Sequence, residues 1–123
     1  MTPYSLAWLA AFVWTLAVEV PIYVFVLRRG GQRTRRAVLA CLGINAITHP
    51  ALWFVAPRFG PDWAWMVSME ACVWVAEAVA LSLLLARWGS PDARLAIRAA
   101  VCANAASTAV GLLVQAGDVS TLG

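Results

Sequence analysis

The chain has no lysine and little charge of any kind: 12% of its 123 residues are charged, about half the share of an ordinary soluble domain. Its nine basic residues are all arginine and cluster between apolar runs. They form no stripe interleaved with aromatics, which argues against DNA or RNA as a partner. The three cysteines, Cys41, Cys72 and Cys102, have neither CxxC spacing nor a neighbouring histidine. They read as small buried hydrophobes rather than a zinc or disulfide framework. With His49 the sole histidine, bis-His haem ligation is out of reach. HExxH, ExxH and HxxxD are also missing, so no cofactor is expected, and His49 and Glu70 are at most weak metal candidates. Ser68, Ser82 and Ser107 lack an elbow motif, which makes an enzyme the less expected class.

What is abundant is apolar: 63% of the residues are hydrophobic. Four runs reach the roughly 20 residues that a helix needs to cross a bilayer. They extend from about Tyr4 to Leu27, Ala37 to Ala56, Trp63 to Ala86 and Leu95 to Ala116. Strands are disfavoured, because the runs do not alternate and a helix satisfies its own backbone in lipid. The expected fold is all-α, a single transmembrane domain over 1–123 with the bilayer as its first partner. The connections RRGGQRTRR, PRFGPD and RWGSPDAR are short and turn-rich, so successive helices run antiparallel. Trp8, Trp53, Trp63, Trp65 and Trp88 fall near run ends, as interface residues do. Trp14 and Trp74 lie deeper and read as packing residues.

Eight of the nine arginines lie in or beside segments 28–36 and 87–94. The positive-inside rule places those two loops in the cytoplasm and both termini outside. The first run is too long, and lacks the basic flank, for a cleavable signal.

The chain also looks duplicated. EVPIYVFVLRR (19–29) aligns with EAVALSLLLAR (77–87), and AVLACLGINAITHPALWFV (37–55) with AIRAAVCANAASTAVGLLV (96–114). Glu19 then matches Glu77, Asn45 matches Asn104 and Thr48 matches Ser107. The repeats cover about 4–56 and 63–116. Two tandem helical hairpins pointing the same way imply a pseudo-twofold axis along the membrane normal.

At about 1.5 Å per residue, Glu19, Asn45 and Glu77 come out near the middle of the hydrocarbon core, with Asn104 close to that level. Asn45, Thr48 and His49 share one helix face, as do Asn104, Ser107 and Thr108. Pro21 and Pro50 sit well inside their helices and are expected to kink them, freeing carbonyls one turn earlier. The first half carries Pro21, Tyr23, His49 and Pro50 where the second has Val79, Leu81, Thr108 and Ala109; Glu70 stands opposite Phe12.

An ionised carboxylate at the bilayer centre costs at least about 3 kcal/mol, so Glu survives there protonated, paired, hydrated or useful. The bland alternative is a protonated Glu bonded to Asn or Ser across a helix interface, at about 1 kcal/mol. The leading expectation is proton- or ion-coupled transport. Glu19 and Glu77 would be the sites, Asn45 and Asn104 their partners, and His49 with Glu70 an outward relay. Thr48, Ser107, Pro21, Pro50 and Tyr23 would support them. The alternatives are an accessory or assembly subunit of a larger membrane complex and, third, a metal-dependent intramembrane enzyme. Four helices enclose little space, so a homo-oligomer or larger complex is expected.

The stretch NAITHPALWFV, with EVPIY and WVAEA around it, resembles small bacterial membrane proteins that carry Asn-x-x-Thr-His-Pro in the second helix and an acid in the first and third. The resemblance covers most of the chain. It implies four helices in a bacterial cytoplasmic membrane and points to no activity. The local sequence around the glutamates departs from small multidrug-resistance transporters, and the glycine-rich signature of fluoride channels is missing.

Overall fold

The computed structural model describes residues 1–58 and 62–120, with side chains described through Pro57 and from Asp62 to Leu113. Four helices carry the chain: α1 (Pro3–Arg29), α2 (Thr34–Pro50), α3 (Trp63–Arg87) and α4 (Ala93–Ser120). After Pro50, α2 widens into a π-helical turn, Ala51–Val55, and closes with a 3₁₀ turn, Ala56–Arg58. All four are long and apolar enough to span a bilayer. The connection read as Pro57 to Asp62 falls partly on residues 59–61, outside the described residues.

The burial pattern is that of a protein in lipid. Val13, Phe25, Ile47, Val75, Leu83 and Leu113 are exposed, while Glu19, Glu77, Asn45 and Asn104 are buried. Trp14 belongs with the outward set at 61% exposed, which corrects the packing role read from its depth. Depth along a helix says nothing about which face a ring occupies.

The core repeats itself. Glu19, Tyr23 and Leu27 on α1 are buried, and so are Glu77, Leu81 and Leu85 on α3. On α2, Ala37, Ala40, Cys41, Ile44 and Asn45 are buried, and their counterparts on α4 are Ala96, Ala99, Ala100, Ala103 and Asn104. These small residues let helix backbones approach closely, which is how packing holds membrane helices together.

The two arginine-bearing turns are copies as well. Gly31 and Gly89 have φ of 81° and 79°, a left-handed conformation that glycine adopts without a Cβ penalty. Each ends its helix with the same pair of backbone bonds, Gln32 N to Leu27 O and Gly31 N to Arg28 O in the first turn. Ser90 N to Leu85 O and Gly89 N to Ala86 O do so in the second. That is a Schellman cap at equivalent positions.

The helices form a ring in which α1 packs on α2 and α3 on α4, the two hairpins of the duplication, related by a pseudo-twofold. The symmetry breaks at the seams between hairpins. α1 and α4 pack closely, whereas the equivalent pair, α2 and α3, touch much less.

Pro50 falls on the looser side of that break. Proline lacks an N–H, and the ladder widens just after it, not a turn before it as the sequence suggested. Tyr4 donates to the Trp53 carbonyl at 2.6 Å and Trp65 Nε1 to the Ala56 carbonyl at 2.8 Å. Pro21, by contrast, lies on the exposed face, and α1 runs through it unbroken.

Candidate functional site

The two glutamates are each held by both hairpins. Asn45 Nδ2 donates to Glu19 Oε2 at 2.8 Å, and Ser107 Oγ, from the other hairpin, donates to Glu19 Oε1 at 2.7 Å. Asn104 Nδ2 donates to Glu77 Oε2 at 2.5 Å, and Thr48 Oγ1 to Glu77 Oε1 at 2.8 Å. All four carboxyl oxygens are thus partnered, by one rule applied twice. The Asn partners were expected from the sequence. The cross-hairpin hydroxyls could not be assigned, because they depend on how the hairpins meet.

Helical backbone positions these donors. Each Asn amide also donates to the carbonyl four residues earlier, Asn45 to Cys41 at 3.2 Å and Asn104 to Ala100 at 3.0 Å. This ties down the amide and aims its remaining hydrogen at the carboxylate.

The hydroxyls have a choice of acceptor. Thr48 Oγ1 reaches Glu77 and also the Ile44 carbonyl at 3.1 Å. Ser107 Oγ reaches Glu19 and the Asn104 carbonyl at 3.1 Å. A hydroxyl has one hydrogen and two lone pairs. Towards an ionised Glu it donates. Towards a protonated Glu it accepts the acid proton and turns its own hydrogen to the backbone carbonyl. Both charge states of each glutamate are accommodated without moving a helix.

Glu19 and Glu77 share a cavity of about 230 Å³, large enough and polar enough to hold water. Asn45, His49, Glu70 and Asn104 line it too, as do Thr48, Ser107 and Thr108. Among the described residues three carboxyls and no arginine face it. The cavity lies from the Glu19–Glu77 level towards the end opposite the 28–36 and 87–94 turns, as far as Ala11, Trp53 and Gly111. Below that level Tyr23, Leu27, Leu81 and Leu85 close the bundle with no exposure at all. The glutamates are the floor of a polar cup.

Its two walls differ. On one, His49 is 9% exposed, with Nε2 3.5 Å from Thr15 Oγ1 and Nδ1 buried without a partner. Phe12 lies 5.2 Å from the imidazole by ring centroids, and Trp53 stacks on it at 6.0 Å. Trp8 and Phe54 pack behind them. Trp8 and Trp53, read from the sequence as interface residues, thus help build the His49 wall. On the other wall Thr108 donates to Glu70 at 3.1 Å. His49 and Glu70 face the same cavity but are not hydrogen-bonded to each other, so the expected relay between them is not a direct contact.

Tyr23 lies under the floor, its buried hydroxyl beside the Glu77 carboxyl but outside good hydrogen-bond geometry. Pro50 lies one residue past His49 and precedes the π-turn that carries Trp53. Sequence reasoning missed Thr15. The available signal was its spacing, one helical turn before Glu19 and so on the same face. Among the described residues no group of three or more His, Cys, Asp or Glu side chains is arranged to hold a metal. No family profile, curated protein or solved structure matches the chain.

Proposed function

We propose that this protein moves protons across the membrane, alone or in exchange for a second solute, with Glu19 and Glu77 as the carriers. The observation that carries the reading is the pair of two-acceptor hydroxyls. Thr48 and Ser107 each bridge a mid-membrane carboxyl and a backbone carbonyl, so protonation and release need only a hydroxyl to rotate. His49 and Glu70, nearer the open end of the cup, are placed to take up or deliver protons through cavity water. Paired copies of the chain are the natural working unit, because four helices enclose so little space.

Reconstitution tests this. Proteoliposomes carrying the protein should dissipate an imposed proton gradient, and Glu19→Gln or Glu77→Gln should abolish that flux while the helix content and melting profile stay as in the parent. An intact wild type with no flux under any gradient rejects the proposal.

One observation favours a second reading. Every oxygen of Glu19 and Glu77 is already partnered within the chain, as interhelical glue in an accessory subunit of a larger complex would be. That reading requires co-purification with larger membrane partners, and its glutamate variants should lose assembly.

A further inference from the structure

The weak seam between α2 and α3 opens an apolar cleft of about 530 Å³, lined by Ala51, Val55, Met69, Cys72 and Ala76 among others. It is no separate feature of the surface. Thr48, Leu52 and Val73 line both this cleft and the polar cup, so a greasy slot on the lipid side adjoins a chamber of three carboxyls. The equivalent seam, α1 against α4, is closed.

Two independent observations bear on what would fit. Among the described residues the cup has Glu19, Glu70 and Glu77 on its walls and no arginine, so the charge it lacks is positive. His49 is nine-tenths buried there with Nδ1 unpartnered, leaving a polar atom in want of a partner. Trp53 lies at the far rim of the same chamber, stacked on His49, so a cation's partners are the carboxyls at the floor. The cleft beside it offers almost entirely apolar atoms at hydrocarbon depth.

We propose that the cup and cleft together bind an amphipathic organic cation, such as a primary alkylammonium. Its charged head lies between Glu19 and Glu77, and its tail lies between α2 and α3, having entered sideways from the bilayer. The inference deepens the transport reading by naming the class of the second solute. A proton and an ammonium head compete for the same carboxylates, which is the requirement for exchange. Lateral entry also accounts for the broken symmetry, since one open seam suffices and two would divide the bundle.

Calorimetric titration of the full chain in lipid nanodiscs tests the proposal, with protein-free discs subtracted. Hexylammonium should bind saturably, whereas hexanol and hexanoate, which share its tail but not its charge, should not. Glu19→Gln should weaken hexylammonium about tenfold or more, as loss of a charged partner does. Ala76→Phe fills the cleft from an exposed position without touching the carboxyl network. It should weaken hexylammonium severalfold with the melting profile unchanged, and Ala51→Phe should do the same from the opposite wall. Absence of saturable heat with hexylammonium, equal binding of hexanol, or full affinity in both cleft variants overturns the inference. Proton flux without hexylammonium binding sinks this proposal and leaves the transport reading standing. Hexylammonium binding without any flux does the reverse.

Discussion

At the carboxyl level, the α1–α2 and α3–α4 hairpins supply the same groups in the same geometry: a glutamate, an asparagine locked to its own helix, and a hydroxyl offered to the other hairpin's acid. Nearer the termini they differ. His49 packs among Phe12, Trp8 and Trp53 where Thr108 donates to Glu70. What stayed alike is the network in which each copy completes the other, so that a change in one hairpin strands a group in its neighbour. What drifted lines the mouth of the cavity, where no such cross-hairpin bond constrains a residue. The difference separates a paired charge site from the walls that decide what reaches it.

The largest effects should come from breaking the equivalence at the floor. Glu19→Gln and Glu77→Gln should each reduce proton flux about 100-fold or more, the scale on which a proton-transferring group contributes. The two variants should agree within experimental error in a fluorescent-dye assay of proteoliposomes. If one keeps most of its activity, the carboxyls are not equivalent and only one is a carrier.

Next in size are the turns. Gly31→Ala and Gly89→Ala force a Cβ into left-handed backbone, which costs about 1–2 kcal/mol. Nothing crowds either glycine, so both losses should come from the backbone alone and match in thermal unfolding in detergent. A large difference between them means that the hairpins do not share this cap.

The walls should respond unequally. His49→Ala gives up its contacts with Trp53 and Phe12, about 0.5–1.5 kcal/mol for aromatic pairs. Thr108→Ala loses one interhelical hydrogen bond, about 0.6 kcal/mol on average in membrane proteins. Equal losses in the same unfolding assay would dissolve the distinction between the walls.

The smallest change is expected from Tyr23→Phe. It removes a buried hydroxyl that lies beside Glu77 without a well-formed hydrogen bond, so the melting temperature should change little. A clear fall would mean that Tyr23 holds a bond in the working protein.

Much of this was legible in the sequence, for identifiable reasons. Runs long enough to span and short arginine-rich turns leave little choice but four antiparallel helices. The coincidence of Glu19 with Glu77 and Asn45 with Asn104 carried the duplication, because such residues are rare in lipid. Helical spacing put Asn45, Thr48 and His49 on one face, and all three line the cavity. The rest needed the third dimension. That Ser107 serves Glu19 rather than Glu77 follows from the packing of one hairpin on the other, and no spacing encodes it. Trp8 and Trp53 lie near helix ends, which suits an interface, yet their rotation about the helix turns them to His49. Trp14 was misread for the same reason: apolar residues on all sides of a membrane helix give no periodic signal for its inward face. The π-turn after Pro50 was foreshadowed only as a kink, and it lies on the far side of the proline, beside the loose α2–α3 seam.

Both glutamates face one polar cup that opens towards the end opposite the 28–36 and 87–94 turns. Thiol labelling measures this directly in a chain whose Cys41, Cys72 and Cys102 are replaced, using a membrane-impermeant reagent applied to each side in turn. Thr15→Cys and Gly111→Cys, both on the cup lining, should react from the side of the termini only. Leu81→Cys, fully buried beneath the floor, should react from neither. Silence at Thr15 and Gly111, or labelling of Leu81 from the arginine side, would contradict the account.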